Sequence, residues 1–147
     1  EKYILLKDRD FLILSKKETT NFEEIIIHSI TEKPNFPLKL TLCNQSDIFN
    51  QMKSVIFVDE NKIQFPLTIR KWKEGDYFYP SGMQGKKKVS KYFKDEKFTL
   101  FQKQDAWILE SNNQIVWIIG HRADERFKVE NTTQTIIQIT YNNEENS

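Results

Sequence analysis

The chain is short of the residues that build small rigid scaffolds and chemical sites. One cysteine, Cys43, stands among 147 residues, which excludes an internal disulfide and any cysteine-rich metal centre. Cys43 reads as a small apolar residue within a strand. The two histidines, His28 and His121, lack a second His, Cys or spaced carboxylate that would make a metal-ligand pattern, so both read as structural. No Ser/His/Asp or Cys/His arrangement can be assembled from spacing. No apolar run approaches the ~20 residues that span a bilayer, and no secretory signal is visible. The triplets Asn44-Gln-Ser46 and Asn131-Thr-Thr133 are therefore read as chance glycosylation matches, and the cytoplasm as the compartment. The first residue is Glu1, not Met, which points to a piece of a longer chain.

What is present suffices for a core. Apolar residues make up 38% of the chain, with eleven Phe, five Tyr and three Trp. Charged residues make up 29% and mostly alternate in sign, which argues against wholesale disorder. The formal net charge is only +1, but it is unevenly placed. Residues 1–65 hold nine Lys/Arg against ten Asp/Glu, residues 66–129 thirteen against eight, and residues 130–147 none against three. The balances are −1, +5 and −3, and an approaching phosphate responds to the local potential, not the total.

Most of the chain reads as short strands. Tyr3-Ile-Leu-Leu6 and Phe11-Leu-Ile-Leu14 suggest a hairpin. Strands are also expected over residues 24–30, 38–43, 54–58 and 63–69; in the second of these Leu38, Leu40 and Leu42 share one face. Pro66 suits an edge or a strand junction. A hairpin over residues 106–109 and 115–119 is joined by Glu110-Ser-Asn-Asn-Gln114, and a last strand covers residues 135–141. Trp72, Trp107 and Trp117 lie in strand-like segments and read as core. The expected class is α+β, mainly β: a small antiparallel β unit over residues 1–65, a β-sandwich-like domain with one or two short helices over 66–141, and a polar tail over 142–147.

The basic segment carries the interest. Lys86-Lys-Lys-Val-Ser-Lys-Tyr-Phe-Lys94 predicts a helix with Val89, Tyr92 and Phe93 on one face and Lys87, Lys91 and Lys94 on the other. Thr99-Leu-Phe-Gln102 fits a capping box for a second helix. Gly82-Met-Gln-Gly85-Lys86 is not a nucleotide P-loop, which needs four residues between its glycines and a Ser/Thr after the lysine. The same residues match the GXXG loop of KH domains, but that loop joins two helices, and Tyr77-Phe-Tyr-Pro80 is not helical in pattern. Three consecutive cations oppose the dipole of the helix they would begin, so local helix stability does not explain them. Lys86, Lys87, Lys88, Lys91 and Lys94 read either as a comb for phosphates or as an ordinary solvated face.

Ile69-Arg-Lys-Trp-Lys-Glu-Gly-Asp76, Tyr79-Pro-Ser-Gly-Met83, Gly85-Lys-Lys-Lys-Val-Ser-Lys-Tyr-Phe93, Ile115-Val-Trp-Ile-Ile-Gly120 and Arg122-Ala-Asp-Glu-Arg-Phe-Lys-Val129 follow in order. Together they resemble the C-terminal domain of bacterial tRNA(Ile)-lysidine synthases. Where members of that family frequently carry Arg, this chain has Lys71 and Tyr77. Residues 1–65 fit by position, as the small β unit that precedes this domain.

The resemblance implies the non-catalytic part of a tRNA-modifying ligase. In the family, lysine is joined to the wobble cytidine of tRNA(Ile) with ATP, and Mg is implied beside it. The chemistry belongs to an N-terminal domain with a Ser-Gly-Gly-x-Asp-Ser loop. Gly75, Gly82, Gly85 and Gly120 are the chain's four glycines and none are adjacent, so that loop is not here and no cofactor is expected in this segment. The implied role is to hold tRNA(Ile), in particular its acceptor stem, through Lys86, Lys87, Lys88, Lys91 and Lys94, with Arg70, Arg122 and Arg126 as further phosphate contacts. The implied partners are tRNA(Ile) and the enzyme's own N-terminal catalytic domain, without a membrane. A structural or homodimer-forming module of the same enzyme is one alternative. A related module of another tRNA-handling protein, such as the phenylalanyl-tRNA synthetase β chain, is another.

Overall fold

Side chains alternate across an extended backbone, so a strand that is apolar at every position must be covered on both faces. Residues 115–118 are such a stretch, Ile-Val-Trp-Ile, and all four are buried. The computed structural model describes residues 24–49 and 52–142; the hairpin expected over residues 3–14 and the end of the polar tail lie outside the described residues. In chain order the elements are β1 (Ile25–Ile27), β2 (Leu38–Cys43), β3 (Val55–Asp59), β4 (Leu67–Lys71), β5 (Tyr77–Phe78), β6 (Lys87–Lys88), α1 (Val89–Asp95), α2 (Leu100–Gln104), β7 (Trp107–Ser111), β8 (Gln114–Ile118) and β9 (Ile136–Tyr141). Among the described residues no helix is long and apolar enough to cross a membrane.

The strands form a four-stranded sheet in the order β1-β4-β7-β8, a three-stranded sheet in the order β2-β9-β3, and a β5-β6 ribbon. All pairings are antiparallel. One core lies between the two larger sheets: Ile27, Leu67, Ile69, Leu109 and Trp117 meet Leu38, Leu40, Ile56, Val58, Ile137 and Ile139. A second core covers the opposite face of the four-stranded sheet, where Ile108, Ile115 and Ile118 meet Phe78, Val89, Tyr92 and Phe93. The cross-strand pairs Ile108↔Ile118 and Leu109↔Trp117 send neighbouring residues into opposite cores. The described residues thus form an α+β, mainly β sandwich with two short α-helices.

Residue 65 is not a break between sheets. β1 pairs with β4, and β2 and β3 both pair with β9, so described residues on either side of 65 share one core. Pro66 stands directly before β4, at a strand junction. Leu38 and Leu40 face the core as the alternation requires, whereas Leu42 is 55% exposed. By that point β2 contributes its other face: Cys43 packs against the cluster of Val55, Phe57 and Ile136.

The β7–β8 connection is tighter than the five-residue loop expected. Ser111 pairs with Gln114, leaving Asn112 and Asn113 at φ of 50° and 65°. Two successive positive φ values make a type I′ turn, whose twist matches that of the strands it joins. Asn is among the few side chains that tolerate this conformation. The capping box of α2 is present, with the Thr99 side chain accepting from the Gln102 N–H at 3.1 Å and Gln102 Oε1 accepting from the Thr99 N–H at 2.7 Å.

Candidate nucleic-acid interface

The basic segment is built on the β5-β6 ribbon. A turn closed by the Asp76 N–H donating to the Lys73 carbonyl at 3.1 Å carries the chain out of β4, with Gly75 at φ +95°. Such a backbone angle favours glycine, which has no Cβ to clash. Tyr77 then pairs with Lys88, and Phe78 with Lys87. Strand alternation buries Phe78 edge-on against Tyr92, ring centroids 5.5 Å apart, and leaves Tyr77 44% exposed. The Asp76 carbonyl accepts from the Val89 N–H at 2.9 Å and so sets the start of α1.

That start corrects the expected helix. Lys87 and Lys88 are in a strand and α1 begins at Val89, because backbone pairing with Tyr77 and Phe78 satisfies these groups before the helix opens. Val89, Tyr92 and Phe93 are the buried helical face, as expected. Lys87 and Lys91 still converge, but on a carboxylate: Lys87 Nζ lies 2.6 Å from Asp95 Oδ2 and Lys91 Nζ 3.2 Å from Asp95 Oδ1. The two ammoniums, Lys87 first, hold the Asp95 carboxyl below the usual carboxylate range. Lys86 is exposed, with Nζ 4.5 Å from the Tyr77 ring centroid. Lys88 and Lys94 are exposed, without an ion pair among the described residues.

The three arginines are differently placed. The Arg70 side chain is only 8% exposed and is held between Asp76 and Glu110. Burial pulls its pKa down, but hydrogen bonds to Asp76 and Glu110 outweigh burial, so the guanidinium stays charged. It is a structural cation. Arg122 donates to the Ser81 carbonyl at 3.0 Å and lies 6.0 Å from the Tyr92 ring. Arg126 donates twice to Asp124, at 3.0 and 2.9 Å, with its guanidinium 4.3 Å over Tyr79. Tyr77 and Tyr79 meet edge-on at 6.3 Å. Lys86, Tyr77, Tyr79 and Arg126 therefore form a row in which two adjacent aromatic rings are flanked by a cation at each end.

These contacts were only partly visible in the chain. Tyr77 and Tyr79 were legible as an aromatic stretch but not as partners of Lys86 and Arg126, which depend on the ribbon and on a contact across many residues. Asp95 carried a usable signal, its i+4 spacing from Lys91. Gly75-Asp76 reads as a turn, and the structure adds that Asp76 holds Arg70. Of the histidines, His28 is exposed beside Glu32, whereas His121 is half-buried with its ring 4.7 Å from Phe98. Among the described residues no group of three or more His, Cys, Asp or Glu could hold a metal ion.

Residues 67–140 match the model of a family described as the TilS substrate C-terminal domain. Over 144 residues, covering 93% of this chain and 32% of the relative, the chain is 40% identical to a tRNA(Ile)-lysidine synthase of Parabacteroides distasonis. It is 32% identical to the one from Bacteroides thetaiotaomicron over 93% of this chain and 30% of that relative. It is 30% identical to the one from Caldanaerobacter subterraneus subsp. tengcongensis over 95% and 31%. The chain thus spans about a third of the length of these relatives. Its fold is also that of a crystal structure of a TilS C-terminal domain, with a TM-score of 0.65 at 20% identity over 74% of this chain and 89% of that one.

Proposed function

Because the chain belongs to the TilS substrate C-terminal domain family, we propose that it binds and positions tRNA(Ile), through the acceptor stem, for lysine ligation elsewhere in the same protein. In that reading an N-terminal catalytic domain joins lysine to the wobble cytidine with ATP and Mg in the cytoplasm, and this segment is inactive alone. The observation that carries the docking role is the placement of Lys86, Lys88, Lys91 and Lys94, all exposed, around one ribbon and one helix. A-form RNA offers phosphates and 2′-hydroxyls more readily than base edges, and a comb of lysines suits that surface. Holding the substrate in register contributes to rate by orienting an otherwise bimolecular encounter. Arg122 and Arg126 are half-buried and frame the comb; Arg70 supports it from below through Asp76.

Binding of this chain to an acceptor-stem minihelix across a salt series tests the role. Each phosphate contact adds about −0.7 to −0.9 to the slope of log affinity against log salt. A slope of roughly −3 or steeper, made shallower by Lys88→Glu with Lys94→Glu, is expected. A slope near zero, or one that the double charge reversal leaves unchanged, rules the comb out.

A second reading rests on α2. Leu100 is 66% and Phe101 82% exposed, adjacent on a short helix, which suits a structural contact with the catalytic domain or a second copy. Dimers at micromolar concentration in sedimentation, abolished by Phe101→Ser, favour that role; a monomer in both proteins removes the dimer.

A further inference from the structure

Tyr77 takes part in two neighbourhoods. One is the lysine ribbon, through Lys86. The other is a cavity of about 220 Å³, which Tyr77 lines together with Lys73, Glu110, Asn113, Gln114 and Arg126. That volume falls below the ~300–1,000 Å³ of sites for drug-sized ligands. It suits one planar ring.

The chemistry of the lining narrows the ring. The buried group beside the cavity is Arg70 with Asp76 and Glu110, one cation and two carboxylates, a net charge of −1. Glu110 is its most accessible member, with 17% of its side chain exposed against 8% for the other two. Each Glu110 oxygen accepts from Arg70 at 3.3 Å, longer than a good charge-assisted bond, so the carboxylate retains capacity to accept. A carboxylate accepts only, and it selects a ligand edge that donates. Asn113 and Gln114 offer amides that both donate and accept, held at the tight β7–β8 turn. Lys73 and Arg126 supply positive charge for a phosphate.

We infer that this cavity takes one unpaired nucleobase bearing an exocyclic amino group. The ring lies against Tyr77, the amino group donates to Glu110, and the attached phosphate falls between Lys73 and Arg126. Uracil has no such amino group and fits less well. The inference rests on the RNA-docking reading and adds a single-strand subsite to the duplex-binding comb.

The test uses the full chain and three RNAs at low salt: a blunt duplex, the duplex with a short oligocytidine extension, and the duplex with an oligouridine extension of equal length. The cytidine extension should tighten binding about fivefold or more, and the uridine extension less. Tyr77→Ala should abolish the gain, Tyr77→Phe keep it, and Asn113→Gly, which preserves the turn, reduce it. The inference is overturned if the cytidine extension adds nothing, if its gain survives Tyr77→Ala, or if uridine gains as much. Affinity for the blunt duplex reads the docking proposal alone. A duplex that binds without any gain from an extension leaves docking intact and removes the subsite. An extension that binds through Tyr77 without duplex affinity supports the subsite and removes stem docking, and binding of none of the RNAs overturns both.

Discussion

Arg70 and Asp76 face each other through two hydrogen bonds, Nη1 to Oδ2 and Nη2 to Oδ1, both 3.0 Å. The pair ties β4 to the turn that launches the ribbon, and Asp76 also accepts from the Lys73 N–H at 2.8 Å. A cation drawn by sequence reasoning as a phosphate contact is thus the anchor of the platform on which the other cations stand.

Removing one partner of a buried ion pair leaves the other charged and uncompensated, at a cost of about 3–5 kcal/mol. Glu110 remains beside Arg70, so Asp76→Ala should lose about 3 kcal/mol in urea unfolding, with part recovered by adding Arg70→Met. A loss below about 1 kcal/mol, typical of exposed pairs, would mean the pair contributes as a surface contact does.

Asp95 competes with any phosphate for Lys87 and Lys91. Asp95→Asn removes that competitor and leaves the helix intact, so affinity for an acceptor-stem duplex should rise several-fold in anisotropy titrations. The gain should fade at high salt. Unchanged or weaker binding at low salt would mean that Asp95 serves to aim the two ammoniums, not to compete with RNA.

How far the chain could be read follows the range of the contacts. The strands around Leu40, Ile108 and Ile139 were legible because alternation is local, and so was the α2 cap, whose partners sit three residues apart. The face of α1 was legible for the same reason. Its start was not, because Lys87 and Lys88 are claimed by Tyr77 and Phe78, a pairing that helical periodicity cannot register. Arg70 looks like any surface cation until β7 brings Glu110 beside it. Likewise, residue 65 looked like a boundary in composition, but β9 closes onto β2 and β3 from the far end of the chain.

The Asn112–Asn113 turn makes a sharp local test. Asn113 sits at φ 65°, where a β-branched side chain meets a steric cost of about 1–2 kcal/mol. Asn113→Val should therefore lower the unfolding free energy by about 1–2 kcal/mol, seen as a lower urea midpoint, while Asn113→Gly should leave the midpoint nearly unchanged. Equal midpoints for the two variants would show that the turn relaxes out of the left-handed region.

His121 gives the pH dependence. Burial pushes its pKa below the ordinary 6.5, Lys53 pushes it the same way, and Glu96 offsets part of the effect. The unfolded chain therefore takes up the proton first as pH falls. The stability contributed by neutral His121 is complete above about pH 6.5, declines as pH drops toward the lower folded value, and then levels off. Carboxylates titrate as well at the acid end, so the useful quantity is the difference between the wild type and His121→Gln, measured by urea unfolding from about pH 7.5 down to pH 5. That difference should shift against the wild type on acidification, with the change beginning near pH 6.5 and not near the carboxylate range. A difference that stays constant across this window would mean that the ring beside Phe98 titrates alike in the folded and unfolded chains, and that its burial does not exclude the charged form.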